Sequence, residues 1–189
     1  MVTEKQPVGL IVRSADEAID GDRQDAMTTD VMNSLQAKRE SIVNEHIEAE
    51  TIRHDVAATV KTFKHPRYQV PALGTVANGA EAVTQLLGAL LTAFPDFHLE
   101  RTAFHHAEEA VIVECRLVGT QRGVWAGIKP SGKKMDVCAA CFFLFDGDEL
   151  TCERVYFDQM TVVRQLTRPE WSFLVPKKHK NAIQTWSQD

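Results

Sequence analysis

Between Met135 and Phe145 almost every position is apolar, Asp146-Gly147-Asp148-Glu149 supplies turn chemistry, and Leu150 to Phe157 alternates again in residue type. This pattern predicts a β-hairpin. With a loop of two or four residues, facing strand positions carry one odd and one even number. Val137, Ala139, Cys141 and Phe143 then share a face with Cys152, Arg154, Tyr156 and Asp158. On that face Asp158 is a carboxylate among small, sulfur-bearing and aromatic groups, which is costly to ionise, so its pKa is expected above the ordinary value of about 3.9. Val155 and Phe157, on the opposite face, are expected to meet a partner or a docked tail.

Upstream the period changes to that of a helix. Residues 1 to about 40 are polar and weakly periodic and predict an N-terminal arm, partly helical or flexible, with Met27, Val31, Met32 and Leu35 as a short apolar stripe. From Ser41 to Phe63 no Gly or Pro interrupts the pattern, and two stripes appear, Ile52-Val56-Val60-Phe63 and Ile47-Thr51-His54-Ala58. One continuous helix is predicted, with His54 as a polar group that could project into a cavity. His65-Pro66 stops it, Tyr68 to Val70 is a short extended piece, and Gly74 to Gly79 reads as loop. Ala82 to Phe94 repeats at helical spacing up to Pro95-Asp96. Strands are predicted over Phe97–Phe104 and Ala110–Gly119, followed by a Gly- and Pro-rich loop, Gln121 to Lys133, which holds Trp125. The order of helix, short strand, helix and four longer strands gives an α+β class with an antiparallel sheet. Residues 41–167 form the domain, and the tail 168–189, with Trp171, Phe173 and Trp186, is expected to dock on it or on a second subunit.

Composition adds limits. The chain of 189 residues has a formal net charge of −5 and 44% hydrophobic residues, with no basic stripe, which argues against nucleic acid as a partner. No apolar run is long enough to cross a bilayer, so neither membrane nor export is expected and a cytoplasmic location is. Four cysteines within apolar strand segments suit free thiols. Cys138-Ala-Ala-Cys141 has metal-ligand spacing, but on a strand its two thiols diverge, and so do the adjacent His105 and His106. No metal is expected from either.

The stretch Gly119-Thr120-Gln121-Arg122-Gly123-Val124-Trp125-Ala126-Gly127-Ile128-Lys129-Pro130-Ser131-Gly132-Lys133-Lys134 resembles the Gly-Thr-His-x-Gly-x-(Phe or Trp)-x-Gly-x-Pro-Pro-Thr-Gly-(Arg or Lys) run of SnoaL-like polyketide cyclases, also called ester cyclases. Phe145-Asp146-Gly147-Asp148-Glu149-Leu150, Glu153-Arg154-Val155-Tyr156-Phe157-Asp158, Gly79-Ala80-Glu81-Ala82-Val83, Ala93-Phe94-Pro95-Asp96 and His54-Asp55 are similar as well. The resemblance covers about Asn44 to Leu166. It implies the cone-shaped nuclear transport factor 2-like fold, a curved antiparallel sheet with helices on one face around a pocket, and a homodimer paired through the open sheet face. It also implies an acid at the Asp158 position acting as general acid/base in an aldol ring closure, without cofactor or metal. Gln121 stands where the family has His, and Lys129-Pro130-Ser131 where it has Pro-Pro-Thr.

These readings combine into an expected cofactor-independent enzyme that moves protons on a small or medium apolar carbonyl compound, by aldol-type cyclisation or isomerisation. Asp158 and His54 are the candidate catalytic residues. Tyr156, Trp125, Phe143, Tyr68, Arg154 and Cys141 are the candidate substrate-binding set. A hydrophobic binding protein without chemistry is the alternative on the same scaffold.

Overall fold

The structure, a computed structural model, describes residues 15–167, with side chains from Thr29 onward. Four α-helices and six strands follow in the order α1 (Ala15–Thr51), α2 (Val56–Lys61), β1 (Arg67–Val70), β2 (Thr75–Asn78), α3 (Ala80–Ala93), β3 (His98–His106), β4 (Ala110–Thr120), β5 (Lys134–Asp146), β6 (Glu149–Phe157) and α4 (Gln159–Thr167). The strands make one curved, unclosed sheet in the order β2-β1-β6-β5-β4-β3. All neighbours are antiparallel except β1 and β6, whose parallel pairing sets Tyr68 beside Glu153. The sheet is therefore mixed, where a wholly antiparallel one was expected, and Thr75–Asn78, read as loop, is a strand paired with β1. The expected roles of residues 1–14 and of the tail 168–189 lie outside the described residues.

The first helix differs from its prediction at both ends. It begins inside the expected arm, at Ala15, and ends at Thr51 rather than running on to Phe63. The break needs neither Gly nor Pro: His54 takes a left-handed φ of 52°, and Asp55 then caps α2, its carboxylate accepting the Ala58 N–H at 2.9 Å. His54 thus lies in a corner, where Nε2–H donates to the Phe97 carbonyl oxygen at 2.7 Å and ties the corner to the start of β3. Ile52, expected in an apolar stripe, is 66% exposed in the same corner.

Toward its C-terminal half α1 is clamped to the tight ends of the sheet. Arg39, buried, donates from Nε to the Gly147 carbonyl oxygen and from Nη1 to that of Glu108, both at 2.8 Å, and its guanidinium lies over the Phe145 ring. Lys38 pairs with Asp148 at 2.8 Å. With that end fixed, His46 and Glu50, one helical turn apart, point from the same side of α1 toward the sheet.

The hairpin forms where predicted, with Gly147 at a φ of 59° in a two-residue turn between Asp146 and Glu149. Its register does not continue as counted. After Phe145↔Leu150 the next pairs are Leu144↔Cys152 and Phe143↔Glu153, so Thr151 is an extra residue, a β-bulge, and its hydroxyl donates to the Leu144 carbonyl oxygen at 3.0 Å. A one-residue shift exchanges the two faces of a strand. Val137, Cys141 and Phe143 therefore share the inner face with Glu153, Val155 and Phe157, while Cys152, Arg154 and Tyr156 lie on the outer one. Val155 and Phe157 line the interior instead of facing a partner.

Behind the sheet, α3 packs Val83 and Leu87 into the core, and the loop after β4 is strapped to its C-terminus by Arg122 and Gly123, whose N–H groups both donate to the Ala93 carbonyl oxygen. Backbone approach is close here. A Cβ on Gly123 would sit 2.7 Å from the Thr92 carbonyl oxygen and 3.0 Å from the Ala93 Cα. Gly123→Ala is expected to cost roughly 1–3 kcal/mol, readable as a lower thermal midpoint, because backbone on both sides must shift. An unchanged melt would show that the loop is not held against α3.

Candidate functional site

Between α1, α3 and the inner sheet face lies a cavity with about 60 Å³ of space open to water centres, room for a few waters or a small ligand. Most of its wall is apolar, from Leu86, Leu90, Leu99, Met135, Val137 and Phe157 among others. Its polar groups are gathered at one place. His46 and Glu50 come from α1, Glu153 from β6 and Tyr68 from β1, and all four are buried.

His46 is the centre of this group. Its Nδ1 lies 2.6 Å from Thr62 Oγ1, and that hydroxyl donates onward to the Thr59 carbonyl oxygen at 2.7 Å, which can only accept. The threonine oxygen is thus an acceptor toward the ring, and Nδ1 carries a proton. Nε2 faces two carboxylates, Glu153 Oε2 at 2.8 Å and Glu50 Oε2 at 3.2 Å. A bare nitrogen lone pair between two carboxylates would be repelled, so Nε2 is also protonated. Burial opposes an imidazolium, but the Glu153 and Glu50 carboxylates outweigh it and raise His46 to about 9. Phe63 and Phe143 meet the ring edge-on with centroids 5.0 and 5.4 Å away, which fixes its plane.

Glu153 is pushed above the ordinary glutamate value by burial and by Glu50, with His46 and Tyr68 pulling the other way. Its two relations to His46 differ in quality: Oε2 is closer to Nε2 than Glu50 is, yet only the Glu50 contact lies along the N–H direction. Glu153 Oε2 therefore has no aligned donor. The short distance governs the charge interaction, and the direction governs the hydrogen bond. Tyr68, driven well above its usual value by burial and by both carboxylates, stays a neutral donor and reaches Glu50 Oε1 at 3.4 Å. His46 and Glu153, in direct contact, titrate as a pair rather than separately.

Over the cavity the loop holds a second orphan. Trp125 packs edge-on against Phe94, and its buried indole Nε1 has no hydrogen-bond partner. Trp125 and Ile128 bridge a turn in which Ala126 and Gly127 both take positive φ. Gln121, fully buried, organises the loop beneath: Nε2 donates to the Gly123 and Ile128 carbonyl oxygens, and Oε1 accepts from the Ser131 N–H and hydroxyl. At this position the glutamine is a scaffold for the loop.

Of the residues expected from sequence, Tyr68, Trp125 and Cys141 line the cavity. Phe143 is in the core behind His46. The others lie elsewhere. Asp158 is exposed and caps α4, Oδ1 accepting the Met160 N–H at 2.9 Å and Oδ2 the Thr161 hydroxyl at 2.5 Å. Those bonds, Thr161 first, hold its pKa below the ordinary value, the reverse of the expected rise. Tyr156 is 43% exposed against Phe142, and Arg154 donates to Gln69 Oε1 at 2.6 Å on the outer face. His54 is in its corner, away from the cavity wall. The thiols of Cys138 and Cys141 do point to opposite sides, one exposed and one buried.

The comparisons with known proteins fit this arrangement. The family model of the SnoaL-like polyketide cyclases matches residues 26–166. The chain belongs to this family. A SnoaL-like polyketide cyclase fold from Jannaschia sp. CCS1 superposes with a TM-score of 0.63 at 20% identity, over 70% of this chain and 94% of that one. A protein with a ketosteroid isomerase-like fold from Catenulispora acidiphila, solved with trimethylamine, gives 0.58 at 21% identity over 68% and 93%. A phenazine biosynthesis-related protein from Pseudomonas aeruginosa gives 0.63 at 16% identity over 84% and 99%. At these identities the likeness is one of fold. None of the curated proteins compared with the chain matches it. Among the described residues no helix is long and apolar enough to cross a membrane.

Proposed function

We propose that this SnoaL-like protein is an enzyme that moves a proton on a small or medium apolar carbonyl compound, as in an aldol-type cyclisation or an isomerisation, with Glu153 and His46 as its acid/base pair. The observation that carries the reading is Glu153: a buried carboxylate in an apolar cavity wall, with one oxygen lacking an aligned donor, beside a buried imidazole. A raised pKa brings a carboxylate closer to working pH, where it is a better base. Glu153 would take the proton next to the carbonyl. The developing enolate oxygen would then be met by a neutral donor, the free Trp125 N–H or the Tyr68 hydroxyl, and the His46 imidazolium would stabilise the charge left in the pocket. Atoms balance without any further reactant, since the proton returns from Glu153 to another carbon or to an alkoxide.

A homodimer is proposed with it, paired through the outer sheet face, where Tyr156 is exposed beside a half-buried Phe142. The cytoplasm is the proposed location, since the four cysteines are unpaired thiols and three of them are buried.

The test needs no prior substrate. A panel of small apolar ketones in deuterium oxide is incubated with the protein, and loss of the α-proton signal is followed by NMR. Exchange with the wild type that is absent with Glu153→Gln supports the proposal. Saturable binding of panel members without exchange would replace it with the hydrophobic binding protein, and equal exchange in both proteins would remove Glu153 from the chemistry.

A further inference from the structure

The proton-sharing group has a second capability, read from its donor set. Nε2 of His46 and one carboxylate oxygen each of Glu50 and Glu153 all lie within 4.8 Å of one another, and all three residues are buried. The separations from Nε2 are 2.8 and 3.2 Å. A first-row divalent cation takes nitrogen and oxygen ligands at about 2.0–2.2 Å, so ligands at right angles around it stand roughly 3.0 Å apart. Both separations from Nε2 match this spacing, and the two carboxylates lie within 4.8 Å of each other, close enough to share one ion.

Two further features point the same way. A ligating imidazole ordinarily donates its other N–H to a fixed acceptor, which sets the tautomer and ring direction. His46 Nδ1 does so onto Thr62 Oγ1, itself locked to the Thr59 carbonyl oxygen. The second feature is Glu153 Oε2, which faces the cavity without an aligned donor. Two carboxylates against one imidazolium also leave this buried cluster with one net negative charge, which a dication replacing the Nε2 proton would bring to zero.

We propose that His46, Glu50 and Glu153 form a binding site for one first-row divalent cation of the zinc or manganese type, with the open side of the ion toward the cavity. Binding releases the Nε2 proton, so cation and proton compete for the same nitrogen. This uses the residues of the acid/base reading without depending on it, because the cation can bind whether or not the pocket carries out proton transfer. If both hold, the loaded protein should lose the exchange activity of the free one.

The experiment is isothermal titration of chelator-stripped, full-length protein with zinc and, separately, manganese at pH 7.5 in two buffers of different ionisation enthalpy. The expected result is one saturable site with about one proton released, weakened at least tenfold in Glu50→Gln and in Glu153→Gln. Far-ultraviolet circular dichroism checks that each variant is folded. If one is not, the other decides, and cobalt ligand-field absorption of the wild type, with and without competing zinc, gives an independent reading. Absence of a stoichiometric site overturns the proposal. So does an affinity equal in wild type and both variants, which would assign the cation to surface groups such as His105 and Glu114. Proton exchange on ketones is measured separately, so either idea can fail alone.

Discussion

Glu153→Gln is expected to lower turnover by roughly two to four orders of magnitude once a substrate is in hand, the usual range for removing a positioned acid/base group. The substitution keeps the shape of the side chain in a cavity wall where volume matters, and it removes both the titrating proton and the charge that faces His46. It also takes the nearer carboxylate from the buried His46 imidazolium, so a lower thermal midpoint is expected and turnover is compared at a temperature where the variant is folded. Asp158→Asn is the informative control. That residue caps α4 from the surface, where asparagine serves nearly as well, so stability should change little and turnover should stay within a few-fold of wild type. A collapse of activity in the Asp158 variant, with Glu153→Gln unaffected, would return the chemistry to the strand end.

The second large effect is on stability against pH, in metal-free protein. His46 rises in the fold from an ordinary 6.5 to about 9, against its burial, through Glu153 on β6 and Glu50 on its own helix. The folded state therefore holds a proton that the unfolded chain releases. The stabilisation is complete below about pH 6.5 and is lost as pH climbs through about 9, on the order of 3 kcal/mol over that window. Glu153, also raised, adds in the same direction, because an acid that prefers its protonated form when folded favours folding at low pH. Tyr68 and Cys141 also face the cluster from neighbouring strands, and both are raised well above their usual values, so neither supplies a compensating charge. For a chain of this size the melting midpoint should fall by roughly 6–12 °C between pH 6.5 and 9.5. Thermal melts of His46→Gln should show most of that slope removed. A wild-type midpoint flat across the window would mean that His46 is buried neutral.

The sequence carried the fold because its signals were local. Alternation in β5, the Asp-Gly turn and the leucine repeat of α3 each depend on neighbours a few residues apart, and each element formed close to where its pattern ended. The site was harder to see because it depends on a register and on a packing angle. Counting strand positions from the turn gives the right inner face for β5 and the wrong one for β6, since nothing in Leu150-Thr151-Cys152 marks Thr151 as the extra residue. The same miscount brought Asp158 and Tyr156 inward on paper and hid Glu153. His46 and Glu50 stand four residues apart, which sets them on one side of a helix but marks no site by itself. They gain meaning only when Arg39 clamps α1 over the hairpin and brings that side onto β6. The helix break at His54 was missed because a left-handed histidine did the work usually done by glycine.

The bulge at Thr151 also makes the pocket a matter of counting. Beyond it, residues 152 to 157 alternate between two complete sets, one of Glu153, Val155 and Phe157, the other of Cys152, Arg154 and Tyr156. Loss of the bulge at unchanged chain length, with Cys152 moved opposite Phe143, would leave the turn in place and turn the second set inward, whereas deletion of Thr151 would only regularise the ladder and keep Glu153 inside. An acidic cavity would become one lined by a guanidinium and a phenol, fit for an anionic guest if the buried charge were matched. Closing the bulge would thus exchange the residues of β6 that line the pocket, and with them its charge, without any change of sequence. The strand encodes both interiors, and the bulge selects the one that is used.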